Sequence, residues 1–188
     1  MSRKNTGTLP TEPLLTGTKV TLRPITEADT PLIVRWRANP RVRHNFIFRE
    51  EITPEIHGQW LAERVATGGV IQFIICVNRM GGRPVGSVYL RDVDRVAQTA
   101  EYGVFIGEDD AVGQGYGTET ARLVVQWALE VAGLRSLILR VFVENTPARR
   151  SYEAAGFRVI QDLPQVRCSD GEIRDMVLMQ ADNGKDST

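Results

Sequence analysis

Three glycines at alternate positions, Gly113, Gly115 and Gly117, stand directly ahead of a segment with helical periodicity. A backbone bare of side chains can turn several N–H groups toward one anion. The N-terminus of the helix behind it adds about half a positive charge. The segment Val112-Gly113-Gln114-Gly115-Tyr116-Gly117-Thr118 therefore reads as a cradle for a phosphate or pyrophosphate. No Gly-Lys-Ser or Gly-Lys-Thr closes it, which excludes the P-loop. Thr118 stands where a dinucleotide fingerprint needs its third glycine. Glu144 comes too late to be the acid that fingerprint places about 20 residues on. Taken alone, the loop is equally a flexible turn before a helix, so its neighbours must decide.

The elements around it can be read from periodicity. Ala100 to Ile106 is a strand leading into the loop, with Glu101 at its start. A helix follows from Thr118 to about Ala132, with Leu123, Val124, Trp127, Ala128 and Val131 on one face. Leu137 to Val143 is a strand, and Thr146-Pro147 opens a short helix that ends at Gly156. Upstream, a strand from Thr18 to Arg23 ends at Pro24. Thr26 and Asp29 form a capping-box pattern for a helix to Ala38. Thr53-Pro54 starts a second helix, reaching Ala66. Val70 to Val77 and Val85 to Leu90 form a hairpin around Gly81-Gly82. Phe157 to Ile160 and Asp175 to Met179 are the last strands, with Asp170-Gly171 as their turn.

The chain has 188 residues, 42% of them hydrophobic, enough for one domain with a sizeable core. We expect that domain over residues 18–181, with a polar, flexible arm at 1–17 and a flexible tail at 182–188. Basic and acidic residues number 23 each, which argues against a nucleic-acid partner. No run is apolar over a membrane-spanning length and no signal peptide is present, so the expectation is a cytoplasmic protein without a membrane partner. Cys76 and Cys168 form no Cys-x-x-Cys unit, and His44 and His57 lack metal-like spacing, so no metal is expected.

The glycine loop resembles the acetyl-CoA-binding motif of the GNAT acyltransferase superfamily, Gln/Arg-x-x-Gly-x-Gly/Ala. Val112 stands at the Gln or Arg position. Glu144-Asn145-Thr146-Pro147-Ala148-Arg149-Arg150-Ser151-Tyr152, running to Gly156-Phe157, resembles the family's Asn-x-x-Ser/Ala helix. Leu22-Arg23-Pro24 and Trp36-Arg37-Ala38-Asn39-Pro40 are similar to the RimJ/RimL-like subgroup, which often has Asn where Ala38 stands. The resemblance covers about Thr18 to Met179. It implies an α+β fold: a mixed, mostly antiparallel, twisted sheet of six to seven strands flanked by about four helices. It also implies acetyl transfer from acetyl-CoA to a primary amine. A non-catalytic acyl-CoA sensor on the same fold is the alternative of another class.

Acyl transfer to an amine requires removal of a proton from nitrogen, a donor for the oxyanion and an acid for the departing sulfur. The resemblance lays the Glu101 strand along the pantetheine arm, making Glu101 the candidate general base, directly or through water. Tyr152 stands where many relatives place the acid. Phe105, Ile106, Gly107, residues 112–118 (Val112 to Thr118), Asn145 and Arg150 are the implied cofactor contacts.

Between the first two helices lies a basic cluster, Arg35, Arg37, Arg41 and Arg43, with Arg49 beyond and His44, Asn45, Phe46 and Phe48 interleaved. In this family the connector shapes the acceptor site. Guanidinium groups match phosphate geometry, so Arg37, Arg43, His44, Phe46 and His57 are expected to bind a small amine such as a nucleotide-linked amino sugar. A protein N-terminus is the alternative acceptor. By family analogy the C-terminal strands pair two copies into a homodimer.

Overall fold

Every residue of Val70–Val77 is buried, as a β-branched run must be when helices cover both faces of its sheet. In the computed structural model, which describes residues 14–183, this is the third of eight strands. They are β1 (Leu15–Thr16), β2 (Val20–Pro24), β3 (Val70–Val77), β4 (Arg83–Asp94), β5 (Thr99–Ile106), β6 (Ser136–Phe142), β7 (Arg158–Arg167) and β8 (Ile173–Asp182). Their spatial order is 1-2-3-4-5-6-8-7. Every neighbouring pair is antiparallel except β5 with β6. Five helices accompany them: α1 (Thr30–Ala38), α2 (Pro40–Arg43), α3 (Pro54–Trp60), α4 (Tyr116–Glu130) and α5 (Thr146–Ala154).

One sheet face carries α4 and α5. There Val20, Leu22, Phe73, Ile75 and Leu90 meet Ala121, Val124 and Trp127. The Phe73 and Trp127 rings meet edge to face at 5.7 Å. On the other face, Ile74 and Cys76 pack against Ile33 and Trp36 of α1, with Ile25 just past β2 and Leu61 just past α3. Gln72 is buried on that face and fully engaged: it accepts from Trp60 Nε1 at 2.9 Å and donates to Ser87 Oγ at 3.0 Å.

Three expectations need correction. Leu15 and Thr16, inside the expected loose arm, pair with Leu22 and Thr21 of β2 and add an eighth strand. β7 and β8 each run ten residues, about twice the length read from sequence. Exposed polar residues such as Gln161 and Asp162 hide the alternation there. Val131 is 67% exposed rather than on the core face of α4. The helix ends at Glu130, and Leu134 fills the core beyond the turn instead.

His57 is also not where the acceptor reading put it. It is 3% exposed, with Nδ1 2.8 Å from the Thr30 hydroxyl and Nε2 buried without a partner. Burial lowers its pKa from 6.5, against a smaller opposing pull from Asp29. The unfolded chain therefore takes up this proton at a higher pH than the folded one. Stability contributed by neutral His57 is present above 6.5 and declines as pH falls toward the lower folded value. Urea melts between about pH 7 and 5 should show that decline, and His57→Gln should flatten it. Parallel limbs in the two proteins would contradict this.

Candidate active site

β5 and β6 pair only over Thr99–Glu101 and Ser136–Ile138. Beyond Glu101, β5 stays with β4 as far as Ile106 opposite Gly86, while β6 stays with β8 as far as Phe142 opposite Met176. The two strands part, and a cleft of about 1080 Å³ opens between them. Past the fork, the inner edge of β5 has no strand partner, so its amides are free to pair with an extended ligand.

The glycine loop forms one end of this cleft, between β5 and α4. Gly113 and Gly115 adopt left-handed φ of 74° and 80°, and Gly115 caps α4. Gly117 differs. It is helical, and apart from its chain neighbours and its own helix backbone no atom lies within 4 Å of where its Cβ would stand. The protein leaves room there, at a helix N-terminus, for a phosphate to approach. Val112, Gly113, Gly115, Tyr116, Gly117 and Thr118 all line the cleft. Gln114 does not, but its carbonyl accepts from Lys19 Nζ at 3.0 Å. Lys19 thus adds a cation to the loop from 95 residues away, which no local pattern could reveal. The Glu119 carboxylate of α4 anchors that segment, accepting the N–H groups of Thr18, Lys19 and Val20 at 3.0, 2.8 and 2.8 Å.

Phe105 and Ile106 also line the cleft, but Gly107 does not. A Cβ there would sit 2.1 Å from Trp36 Cγ, so this glycine serves the packing of α1 against the chain. Arg150 and Asn145 lie on the cleft wall. Asn145 caps α5 by accepting from Ala148 N–H at 3.3 Å, and it donates to Asn45 Oδ1 at 3.0 Å. The Thr118 and Ser151 hydroxyls, 2.6 Å apart, tie α4 to α5.

Glu101 occupies the vertex of the fork. Strand alternation puts Glu101, Gly103 and Phe105 on the α1 face and Tyr102, Val104 and Ile106 on the α4/α5 face. The Glu101 carboxylate accepts from Arg91 of β4 at 2.8 Å and from Arg140 of β6 at 3.0 to 3.3 Å. Tyr152 reaches the cleft from α5, with its ring edge-on to Tyr102 at 5.9 Å and to Phe157 at 6.0 Å. Burial pushes the Tyr102 and Tyr152 phenols up, so both remain protonated at neutral pH. Carboxylate and phenol thus stand on opposite faces of the sheet and can act together only across the gap.

Most of the basic cluster is engaged within the protein, although Arg41 also lines the cleft. Arg35 pairs with Glu108, and Arg41 with Asp109 at 2.8 Å. Arg37 lies over the Phe46 ring at 3.7 Å and donates to the Phe48 carbonyl at 2.9 Å. Arg43 bonds the Arg49 carbonyl. Arg49 is buried between Asp170, at 2.8 Å, and Glu172. His44 is exposed and gives its carbonyl to Arg174 at 2.7 Å. The connector is irregular, so its carbonyls need donors, and guanidinium forks supply them. Of the expected acceptor residues, only Phe46 lines the cleft. Near the vertex the cleft is lined instead by Tyr89, Arg91 and Arg140 on strands β4 and β6, which reading by sequence missed. One metal-like grouping occurs among the described residues, Cys168 with Asp170 and Glu172, and both its carboxylates hold Arg49.

With the site described, its relatives can be compared. The sequence model of the acetyltransferase (GNAT) domain matches residues 19–158. An uncharacterised protein of Methanocaldococcus jannaschii is 28% identical over 74% of the chain, and the chain spans 28% of that relative's length. The spermidine N-acetyltransferase of Vibrio cholerae, in complex with CoA and spermine, superposes with a TM-score of 0.79 at 18% identity, over 87% of this chain and 95% of that one. A dodecameric structure of the Vibrio cholerae enzyme gives 0.75 at 20% identity, over 88% and 95%. At such identity the likeness establishes the fold. Among the described residues no helix is long and apolar enough to cross a membrane. The family match runs from β2 through the glycine loop to the end of α5, and it places the chain in the acetyltransferase (GNAT) family.

Proposed function

We propose that this chain acetylates a small primary amine, with acetyl-CoA supplying the activated acyl thioester. The observation that carries this reading is the fork: an open glycine cradle at one end, and a carboxylate at the vertex on the face opposite Tyr152. In it, the loop amides with Lys19 hold the diphosphate, and the free edge of β5 aligns the pantetheine arm and offers N–H groups to the developing oxyanion. Both Glu101 oxygens already accept from arginines, so Glu101 takes the amine proton through a water rather than by direct contact. Tyr152 donates its proton toward the departing sulfur. The nucleotide-sugar form of the acceptor rested on the connector arginines, and their engagement within the protein removes that support. β7 ends the sheet with a free edge, which supports pairing of two copies.

Calorimetry with acetyl-CoA, followed by thiol release with a panel of amines and a peptide N-terminus, tests this reading. Binding heat and release with a small amine are expected. Glu101→Gln should remove most turnover, about 10²-fold or more, and leave the heat unchanged. Absence of heat would defeat the donor assignment. Heat without release on any amine would make the chain a sensor.

A further inference from the structure

The acceptor side of the fork carries donors that the chemistry above does not use. Arg91 gives one N–H to Glu101 at 2.8 Å, and its Nε–H is buried with no partner. The Nε–H of Arg37 is also buried and unpartnered. Asp92 is exposed and stands 3.8 Å from Arg91 Nε, beyond hydrogen-bond reach. Tyr89 lies opposite Gly103 in the β4–β5 register. A Cβ on residue 103 would be 2.4 Å from Tyr89 Cζ and 2.5 Å from its hydroxyl oxygen. The ring therefore lies flat across β5, and only glycine beneath it lets the hydroxyl extend over the strand on the α1 face. The charges that bear most on that hydroxyl are the guanidiniums of Arg91, Arg37 and Arg140 and the carboxylate of Glu101. Burial keeps the phenol protonated, so it meets a ligand as a donor.

Donors and positive charge thus dominate the place where the amine must arrive. A polycation would meet several guanidinium groups and one carboxylate already shared by two of them. We propose that the acceptor is a small amine bearing an anionic group two or three bonds from its nitrogen. The anion is held by the Tyr89 hydroxyl and the spare N–H groups of Arg91 and Arg140, while the nitrogen faces Glu101. The short spacing follows from the arginines themselves, since the guanidiniums that hold Glu101 must also reach the anion. This inference rests on the acetyl-transfer reading and narrows its acceptor.

The test uses matched probes with the full chain: β-alanine against its amide, 2-aminoethylphosphonate against ethylamine, and spermidine as the polycation. Each anionic member should exceed its partner by about tenfold or more in kcat/KM. Where neither turns over, the anionic member alone should raise the melting temperature of the CoA-saturated chain. Tyr89→Phe keeps the ring over Gly103 and removes only the hydroxyl. It should abolish most of the preference through KM, with kcat held within about twofold. Spermidine or the uncharged partners performing equally well would overturn the proposal, and so would silence from every anionic probe. Acetyl-CoA heat is read in the same samples, and its loss would strike the donor reading instead.

Discussion

A Gly117→Val chain will fold about as stably as its parent yet lose about 100-fold in acetyl-CoA affinity. The two halves of this result have separate causes. Residue 117 is helical, and the space around its missing Cβ is open within the protein. Valine is no worse than glycine in a helix, so stability should stay within about 1 kcal/mol. The same volume is where a phosphate must approach the N–H groups at the start of α4. Displacing one or two charge-assisted bonds by a side chain costs about 1.5–3 kcal/mol each, which is about 10- to 100-fold or more in affinity. Gly115→Val provides the contrast. Its φ of 80° penalises any Cβ by about 1–2 kcal/mol, so stability and binding should fall together. Chemical denaturation and calorimetry on the two variants separate these effects. If Gly117→Val binds acetyl-CoA normally, the diphosphate does not lie in this loop.

Tyr152→Phe is expected to slow turnover by about 10²- to 10³-fold, the range for loss of a positioned acid, with acetyl-CoA affinity unchanged. Phenylalanine preserves the edge contacts with Tyr102 and Phe157, so the loss should not come from unfolding. The pH dependence sharpens the assignment. Burial pushes this phenol above its ordinary value of 10, so the acid is fully protonated across neutral and mildly alkaline pH. The ratio of parent to variant rates should therefore be constant from about pH 6 to 9. Linkage supplies a second check. The unfolded phenol ionises at about 10 and the folded one only above that, so its share of stability is intact below 10 and lost as pH climbs further. Tyr152→Phe should thus unfold less readily in strong alkali. A variant turning over at parental speed would remove Tyr152 from the reaction.

How much of this was legible in the sequence depended on whether the signal was local. Glycines that need left-handed φ or open space announce themselves wherever they stand, and so did 113, 115 and 117. Strong periodicity fixed α4, β3 and the β3–β4 hairpin to within a few residues. No local pattern marks where the fork begins, because that depends on where β6 stops following β5. That is decided by what each strand pairs with on its other side. Lys19 was missed for the same reason, being joined to the loop only by the β2 edge. The connector arginines misled because a run of cations looks the same whether it faces a ligand or satisfies the carbonyls of an irregular segment. Tyr89, Arg91 and Arg140 looked like the polar half of ordinary alternating strands. Only the register of Tyr89 against Gly103 and the convergence of both arginines on Glu101 mark them out.

Arg91, Glu101 and Arg140 come from three successive strands, β4, β5 and β6. They sit where the backbone ladder between the two halves of the sheet runs out after three residue pairs. In mechanical terms the molecule is a book whose spine is three residues long, and this ionic clasp is the last stitch. In the proposed reading Arg91 and Arg140 also hold the acceptor's anionic group, so whatever loosens the stitch to admit a ligand also slackens the binding between the two leaves.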